Sequence, residues 1–262
     1  MPILLGSDSE RIRFAGAHSL FALKRATGQK AWQFGANDDE DPMADPEELE
    51  TWTDHVAIAG RIISSSDRGD VVCINASTGT LQWRREIEGG TASHLAADGQ
   101  FVYCAKWRGR NNVIHFLDAA TGQSRGELSC EDSRPIQLLY PSADNGLLVI
   151  MAKSIMRIDP ASLKIEWSIA TPRHFLVSTF LHDEGGFILS DDARRIIKRD
   201  DVTGRLLWRS VPIGKDDRDG LWTVDRWPHH WSLAMSYLHS MPMAGCFGET
   251  TTVSACAGSL PS

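Results

Sequence analysis

Short apolar stretches, each closed by a polar turn, recur along the whole chain. Ser19-Leu-Phe-Ala-Leu, Asp70-Val-Val-Cys-Ile and Val113-Ile-His-Phe-Leu are alternating or continuously apolar over about five residues. That length and pattern predict β-strands. Further strand-like runs precede these. The second unit has His55-Val-Ala-Ile-Ala and Arg61-Ile-Ile-Ser-Ser; the third has Ser93-His-Leu-Ala-Ala and Phe101-Val-Tyr-Cys-Ala. In the fourth unit Ile136-Gln-Leu-Leu-Tyr and Leu147-Leu-Val-Ile-Met flank Asp144-Asn-Gly, and in the fifth Phe175-Leu-Val-Ser-Thr and Phe187-Ile-Leu-Ser flank Glu184-Gly-Gly.

The last two strands of each unit share an eleven-residue signature. It reads Ala22-Leu-Lys-Arg-Ala-Thr-Gly-Gln-Lys-Ala-Trp32, then Cys73-Ile-Asn-Ala-Ser-Thr-Gly-Thr-Leu-Gln-Trp83, then Phe116-Leu-Asp-Ala-Ala-Thr-Gly-Gln-Ser-Arg-Gly126. Two more follow: Arg157-Ile-Asp-Pro-Ala-Ser-Leu-Lys-Ile-Glu-Trp167 and Lys198-Arg-Asp-Asp-Val-Thr-Gly-Arg-Leu-Leu-Trp208. The glycine position falls at Gly28, Gly79, Gly122, Leu163 and Gly204, so the steps are 51, 43, 41 and 41 residues. Self-similarity at that period marks a repeat architecture.

The signature has a mechanical reading. Asp118, Asp159, Asp200 and Asn75 carry short side chains that bond to backbone amides just ahead. Gly28, Gly79, Gly122 and Gly204 take the positive φ of a tight turn. Trp32, Trp83, Trp167 and Trp208, one per unit, can dock between neighbouring sheets, burying a large apolar area with the indole N–H bonded to backbone. Four short strands in about 42 residues is the content of one propeller blade. The predicted fold class is therefore all-β, a β-propeller of four-stranded blades with about five recognisable.

The pattern Ala-x-Asp-x-x-Thr-Gly-x-x-x-Trp resembles the tryptophan-docking motif of pyrroloquinoline-quinone-like propellers, the quinoprotein alcohol dehydrogenase superfamily. The same repeat occurs in non-enzymatic members such as outer-membrane assembly lipoproteins. The resemblance covers residues 1–213 and implies a ring of seven or eight blades, of which five leave it incomplete. Four departures stand out. Gly126 replaces Trp, which predicts a less well packed junction; Leu163 replaces Gly, which predicts a turn without positive φ; Lys24 and Asn75 replace Asp.

Composition sharpens this in one place. Of the formal charge of −7, eight carboxylates lie in residues 38–50, and the rest of the chain holds 26 acidic and 27 basic residues. A neutral body with one acidic loop, 37–50, lacks the basic field of a nucleic-acid binder. That loop carries Pro42 and Pro46 and reads as a solvated insertion between blades. Residues 214–262 show no repeat signature and read as a degenerate closing blade or a poorly ordered tail. His229-His230 falls there and is read as a pair of loop histidines. No stretch is long and apolar enough for a membrane span, and the start of the chain has no basic n-region, so a cytoplasmic location is expected. Five scattered cysteines without a CxxC pair fit reduced thiols.

Candidate chemistry is sparse. A quinone-dependent dehydrogenase, as the resemblance would imply, needs an axial cofactor, a calcium or lanthanide ion and a catalytic aspartate, often with a vicinal cysteine pair. No Cys-Cys is present, and no complete ligand set can be assigned. Asp118, Asp159 and Asp200 are accounted for by turns. Neither a Gly-x-Ser-x-Gly elbow, a P-loop nor a His-Glu-x-x-His is found. Arg194, Arg195, Lys198 and Arg199 could bind an anion but alternate as a solvated strand edge would; Lys106, Arg108 and Arg110 read as a connecting loop. No catalytic, cofactor or metal residues are predicted. The expected function is a non-catalytic protein-binding or scaffolding module with an unidentified protein partner and self-association through unpaired blade edges. The alternatives are a quinone- or metal-dependent oxidoreductase, and a truncated propeller.

Overall fold

The computed structural model describes residues 2–36, 50–87, 92–108, 111–131, 134–142, 144–171, 180–183, 185–190 and 195–210. Twenty strands form five separate four-stranded antiparallel sheets, each with its strands in sequence order. Blade 1 holds β1 (Ile3–Ser7), β2 (Arg11–Ala15), β3 (Ser19–Lys24) and β4 (Lys30–Gly35). Blade 2 holds β5 (Trp52–Ile58), β6 (Arg61–Ser66), β7 (Asp70–Asn75) and β8 (Leu81–Glu86). Blade 3 holds β9 (Ala92–Ala97), β10 (Phe101–Arg108), β11 (Asn111–Asp118) and β12 (Ser124–Glu131). Blade 4 holds β13 (Leu138–Pro141), β14 (Leu147–Ile150), β15 (Ser154–Asp159) and β16 (Lys164–Ala170). Blade 5 holds β17 (Phe180–Asp183), β18 (Gly186–Ser190), β19 (Ile196–Arg199) and β20 (Leu206–Arg209). The expected strand Phe175–Thr179, the acidic loop apart from Glu50, and residues 214–262 lie outside the described residues.

The hydrophobic pattern explains the layering. The second and third strands of the middle blades, such as β10 and β14, are buried on both faces, which is why they read as continuously apolar. Because side chains alternate, each such strand feeds two different cores. From β10, Val102 and Cys104 join Trp83 and Leu117 in the cluster between blades 2 and 3. Tyr103 and Ala105 join Phe116, Leu147 and Val149 between blades 3 and 4. From β14, Leu148 and Ile150 face Phe187 and Leu189 between blades 4 and 5. Leu20, Ala22 and Trp32 meet Ile62 and Ile74 between blades 1 and 2. There is thus one core per junction, and stability is divided among nearest-neighbour interfaces as in other repeat arrays.

First strands of successive blades, β1 with β5, β5 with β9 and β9 with β13, approach each other and mark the axis. Fourth strands lie at the rim: in β8 only Trp83 is buried, and its neighbours face water. Among the described residues the five blades do not close a ring. No helix among them is long and apolar enough to cross a membrane.

Lys106 and Arg108 are the end of β10 rather than a connecting loop, and Arg110 lies outside the described residues. Lys106 is fully buried with its ammonium on the Ile87 carbonyl, so its charge does not advertise an exposed turn. Its aliphatic stem packs inside while the head finds a backbone acceptor.

Candidate functional site

Four of the five repeat turns close with the same backbone bond. The amides of Gly28, Gly79, Gly122 and Gly204 donate to the carbonyls of Lys24, Asn75, Asp118 and Asp200 at 2.8–2.9 Å. These glycines sit at φ +70°, +72°, +68° and +69°. Asp118 Oδ1 accepts from the amides of Ala120 and Thr121 at 3.1 and 3.0 Å and from Thr121 Oγ1 at 2.9 Å; its other oxygen takes Arg125 at 2.5 Å. The Arg125 bond, the Thr121 hydroxyl and the turn amides pull the Asp118 carboxyl down to about 2. Asp159 accepts from Ala161 N at 3.0 Å and Ser162 Oγ at 2.5 Å, and Asp200 from Thr203 N and Oγ1, both at 2.8 Å. Asn75 does the same work with one oxygen, accepting from Ser77 N at 2.8 Å and Thr78 N at 3.0 Å. Lys24 has no such oxygen, and its turn is held by backbone bonds.

The tryptophans and glycines meet across blade junctions, each indole lying on the turn of the following blade. A Cβ on Gly79 would fall 2.6 Å from Trp32 Cδ2, one on Gly122 2.6 Å from Trp83 Cδ2, and one on Gly204 2.8 Å from Trp167 Cδ2. Each of these glycines is therefore required twice, by its φ and by the ring above it. Trp83 Nε1 donates to the Ala119 carbonyl at 3.1 Å, and Trp167 Nε1 to the carbonyls of Val202 and Asp201 at 2.8 and 3.3 Å. At the first junction the equivalent carbonyl, Ala76, is taken by Arg13 Nε at 2.7 Å. Trp32 Nε1 is buried there without a partner.

The junction between blades 3 and 4 departs from the sequence expectation for the Leu163 turn. Leu163 sits at φ +56°, so its turn keeps the left-handed conformation that glycine adopts elsewhere. Its side chain packs into the cluster between blades 3 and 4, reaching the space a Cβ on Gly126 would need. The large residue has moved from one side of the junction to the other: Trp over Gly has become Gly under Leu. The apolar side chain at this junction comes from the opposite blade, which single positions read separately do not disclose.

The ends of the array differ from its junctions. Gly28 has the same turn, but nothing lies within 4 Å of a Cβ placed there. Trp208 pairs with Lys198 in the register that Trp32, Trp83 and Trp167 have with Ala22, Cys73 and Arg157. It is nevertheless 44% exposed, against 8% for Trp83.

Sequence reasoning did not single out two polar clusters. On the axial strands Asp54 accepts from the amides of His55 at 2.9 Å and Leu95 at 2.8 Å, tying blade 2 to blade 3. His55 Nδ1 lies 2.8 Å from Ser64 Oγ, which donates to the Asp54 carbonyl at 3.3 Å. Burial lowers the His55 imidazole to about 4 and pushes His94 in the same direction against the pull of Asp54. Ser64 is fully buried, so this serine–histidine pair offers no hydroxyl to a substrate. The second cluster surrounds Arg157, which is buried yet bonds Glu166 at 2.5 Å, Asp144 at 2.7 Å, Ser142 at 3.0 Å and the Asp201 carbonyl at 3.3 Å. Asp201 in turn holds His182 Nε2 at 2.9 Å, and His182 stacks on Tyr140. The only sequence signal for it was Asp144-Asn-Gly: Gly146 is bare where the guanidinium lies against it.

Two of the other basic sequence candidates have partners in the fold. Lys198 pairs with Asp183 at 2.6 Å and Arg199 donates to the Gly204 carbonyl at 2.8 Å; Arg194 lies outside the described residues. Cys73, Cys104 and Cys130 are free and buried, and burial pushes their thiols up to about 11, 12 and 11. At neutral pH they stay protonated and poorly nucleophilic. Among the described residues no group of three or more His, Cys, Asp and Glu side chains is placed to hold a metal ion.

Comparison with known proteins agrees with this geometry. Residues 17–125, which contain the first two tryptophan–glycine junctions, match the family described as outer membrane protein assembly factor BamB. Residues 17–125 are thus similar to that family, and the described residues have the fold of an incomplete β-propeller. Similar solved structures include the computationally designed protein Ika8 (TM-score 0.63, 15% identity, 80% of this chain and 61% of that one). BamB from Moraxella catarrhalis is similar over 78% of this chain and 62% of its own, with TM-score 0.52 and 11% identity. A chain of the mitotic checkpoint complex is similar over 77% and 60%, with TM-score 0.57 and 11% identity. The chain spans about three fifths of the length of each. No curated protein sequence matches it.

Proposed function

We propose that the chain is a non-catalytic propeller module that binds another protein. One observation carries the reading: the carboxylates that recur with the repeat are spent on their own turns. Asp118, Asp159 and Asp200 each face the amides or hydroxyls ahead of them, and Asp54 bridges two blades. Groups committed in this way hold blades in shape and are not poised to meet a reacting atom. The similarity to an outer-membrane assembly factor supports a propeller used for protein interaction, at the level of fold.

The test is affinity capture with the purified chain, followed by hydrogen exchange on the chain with each captured protein added back. A partner that forms a defined complex and protects one contiguous blade surface is the expected result. Capture in which no blade surface is protected by any purified candidate refutes the reading. In parallel, the quinone with calcium is titrated against the melting temperature. No shift is expected, and a saturable rise would overturn the non-catalytic assignment in favour of a quinone-dependent oxidoreductase.

A further inference from the structure

Among the described residues the array leaves one plug and one socket of the kind that pair within it uncovered. At three junctions an indole covers the Thr-Gly or equivalent turn of the next blade: Trp32 on Gly79, Trp83 on Gly122 and Trp167 on Gly204. Two members are left over. Trp208, at the same register position in blade 5, is 44% exposed. Gly28, in a turn with the same φ and the same closing bond, has open space over it.

The sheet faces around them match. In blade 5, Phe187, Leu189 and Ile197 point toward blade 4. Period-2 alternation then turns Leu181, Ile188 and Ile196 to the other side with Trp208, and Leu181 and Ile196 are 49% and 36% exposed. In blade 1, Leu5, Ala15, Leu20 and Ala22 face blade 2. The opposite face carries Leu4, Ile12, Phe14, Phe21 and Leu23, with Phe14 stacked on Phe21, and these are only half-buried. Equivalent central-strand positions in blades 2 to 4 are fully buried. Contiguous apolar faces of this kind mark interaction surfaces.

We propose that the blade 5 face of one copy docks on the blade 1 face of a second copy, with Trp208 seated on the Thr27-Gly28 turn. Its indole N–H then donates to the Arg25 carbonyl, which stands where Ala119 and Asp201 stand at the internal junctions. The occupant is a second copy because this chain supplies both halves of a pairing it already makes three times. The two surfaces differ, so contact is heterologous and copies add head to tail. This inference concerns the ends of the array and is independent of the partner proposed above.

The full-length chain is studied by sedimentation across a wide concentration range. Wild type is expected to self-associate with rising concentration. Trp208→Ala removes the plug. Gly28→Asn blocks the socket with a residue that tolerates positive φ. Each variant alone is expected to associate about thirtyfold or more weakly, with circular dichroism unchanged. Mixing the two restores one good interface, because the intact Trp208 of the Gly28→Asn copy meets the intact Gly28 of the Trp208→Ala copy; the expected product is a dimer and nothing larger. A wild-type chain that stays monomeric overturns the proposal, and so do single variants that associate like wild type or a mixture that stays monomeric. A monomer in which Trp208 is shielded from quenchers overturns it as well, by showing that the plug is covered within its own chain.

Discussion

The exchanged junction between blades 3 and 4 yields the sharpest test of how this array holds together. Two substitutions restore the recurring arrangement: Gly126→Trp and Leu163→Gly. Leu163→Gly alone relieves a leucine held at φ +56°, worth about 1–2 kcal/mol. It also forfeits about 1–1.5 kcal/mol from a half-buried side chain and adds chain entropy to the unfolded state. These nearly cancel, so the single change shifts stability by less than about 1 kcal/mol. Gly126→Trp alone forces an indole into space that Leu163 occupies and a backbone from φ +141°, at a cost of about 1–3 kcal/mol or more. In the double variant the indole lies over a bare glycine, as at the other three junctions. The backbone cost at 126 appears in both Trp-containing variants and drops out of the cycle. The coupling energy from urea unfolding of all four proteins is therefore expected to be at least about 2 kcal/mol in favour of the double variant. Additivity to within about 0.5 kcal/mol would refute the exchange and leave Gly126 and Leu163 as independent departures.

Other outcomes follow from the same geometry. Trp83→Ala should cost about 3–5 kcal/mol in chemical denaturation, because the ring is 8% exposed and bonded to Ala119. Trp208→Ala, measured at a concentration where the chain is monomeric, should cost less than about 1 kcal/mol. Lys24→Asp should stabilise the blade 1 turn by about 0.5–1 kcal/mol by supplying the acceptor that Asp118 supplies in blade 3; an unchanged urea midpoint would contradict it. His55 is held down to about 4 in the folded chain by burial, against about 6.5 when unfolded. Its contribution is present above pH 6.5 and lost as pH falls to about 4, by up to about 3 kcal/mol. His55→Gln should flatten the stability profile in that window, and an unaltered slope would show that His55 is not the group responsible.

How much was legible in the sequence divides along a physical line. The strands, the turns and the number of blades follow from interactions spanning a few residues. Alternation places apolar side chains, Asp118 and its counterparts cap the turn ahead, and glycine supplies positive φ, so the eleven-residue signature announces each hairpin. The partners of the tryptophans were not legible. Trp32 finds its glycine 47 residues on, Trp83 39 and Trp167 37, and no local pattern says that an indole belongs to the next turn rather than its own. The same distance hid the exchange at Gly126 and Leu163: each residue looks like a loss when read alone, and the gain exists only where two blades touch. Arg157 and Asp54 were silent because their bonds join strands whose separation in sequence carries no periodic mark. The blades are therefore written in the order of residues, because the forces that make them are local. Which blade face meets which, and that Trp208 is exposed and Gly28 uncovered among the described residues, emerges only when the sheets pack, because packing between sheets depends on shape at contact and not on order along the chain.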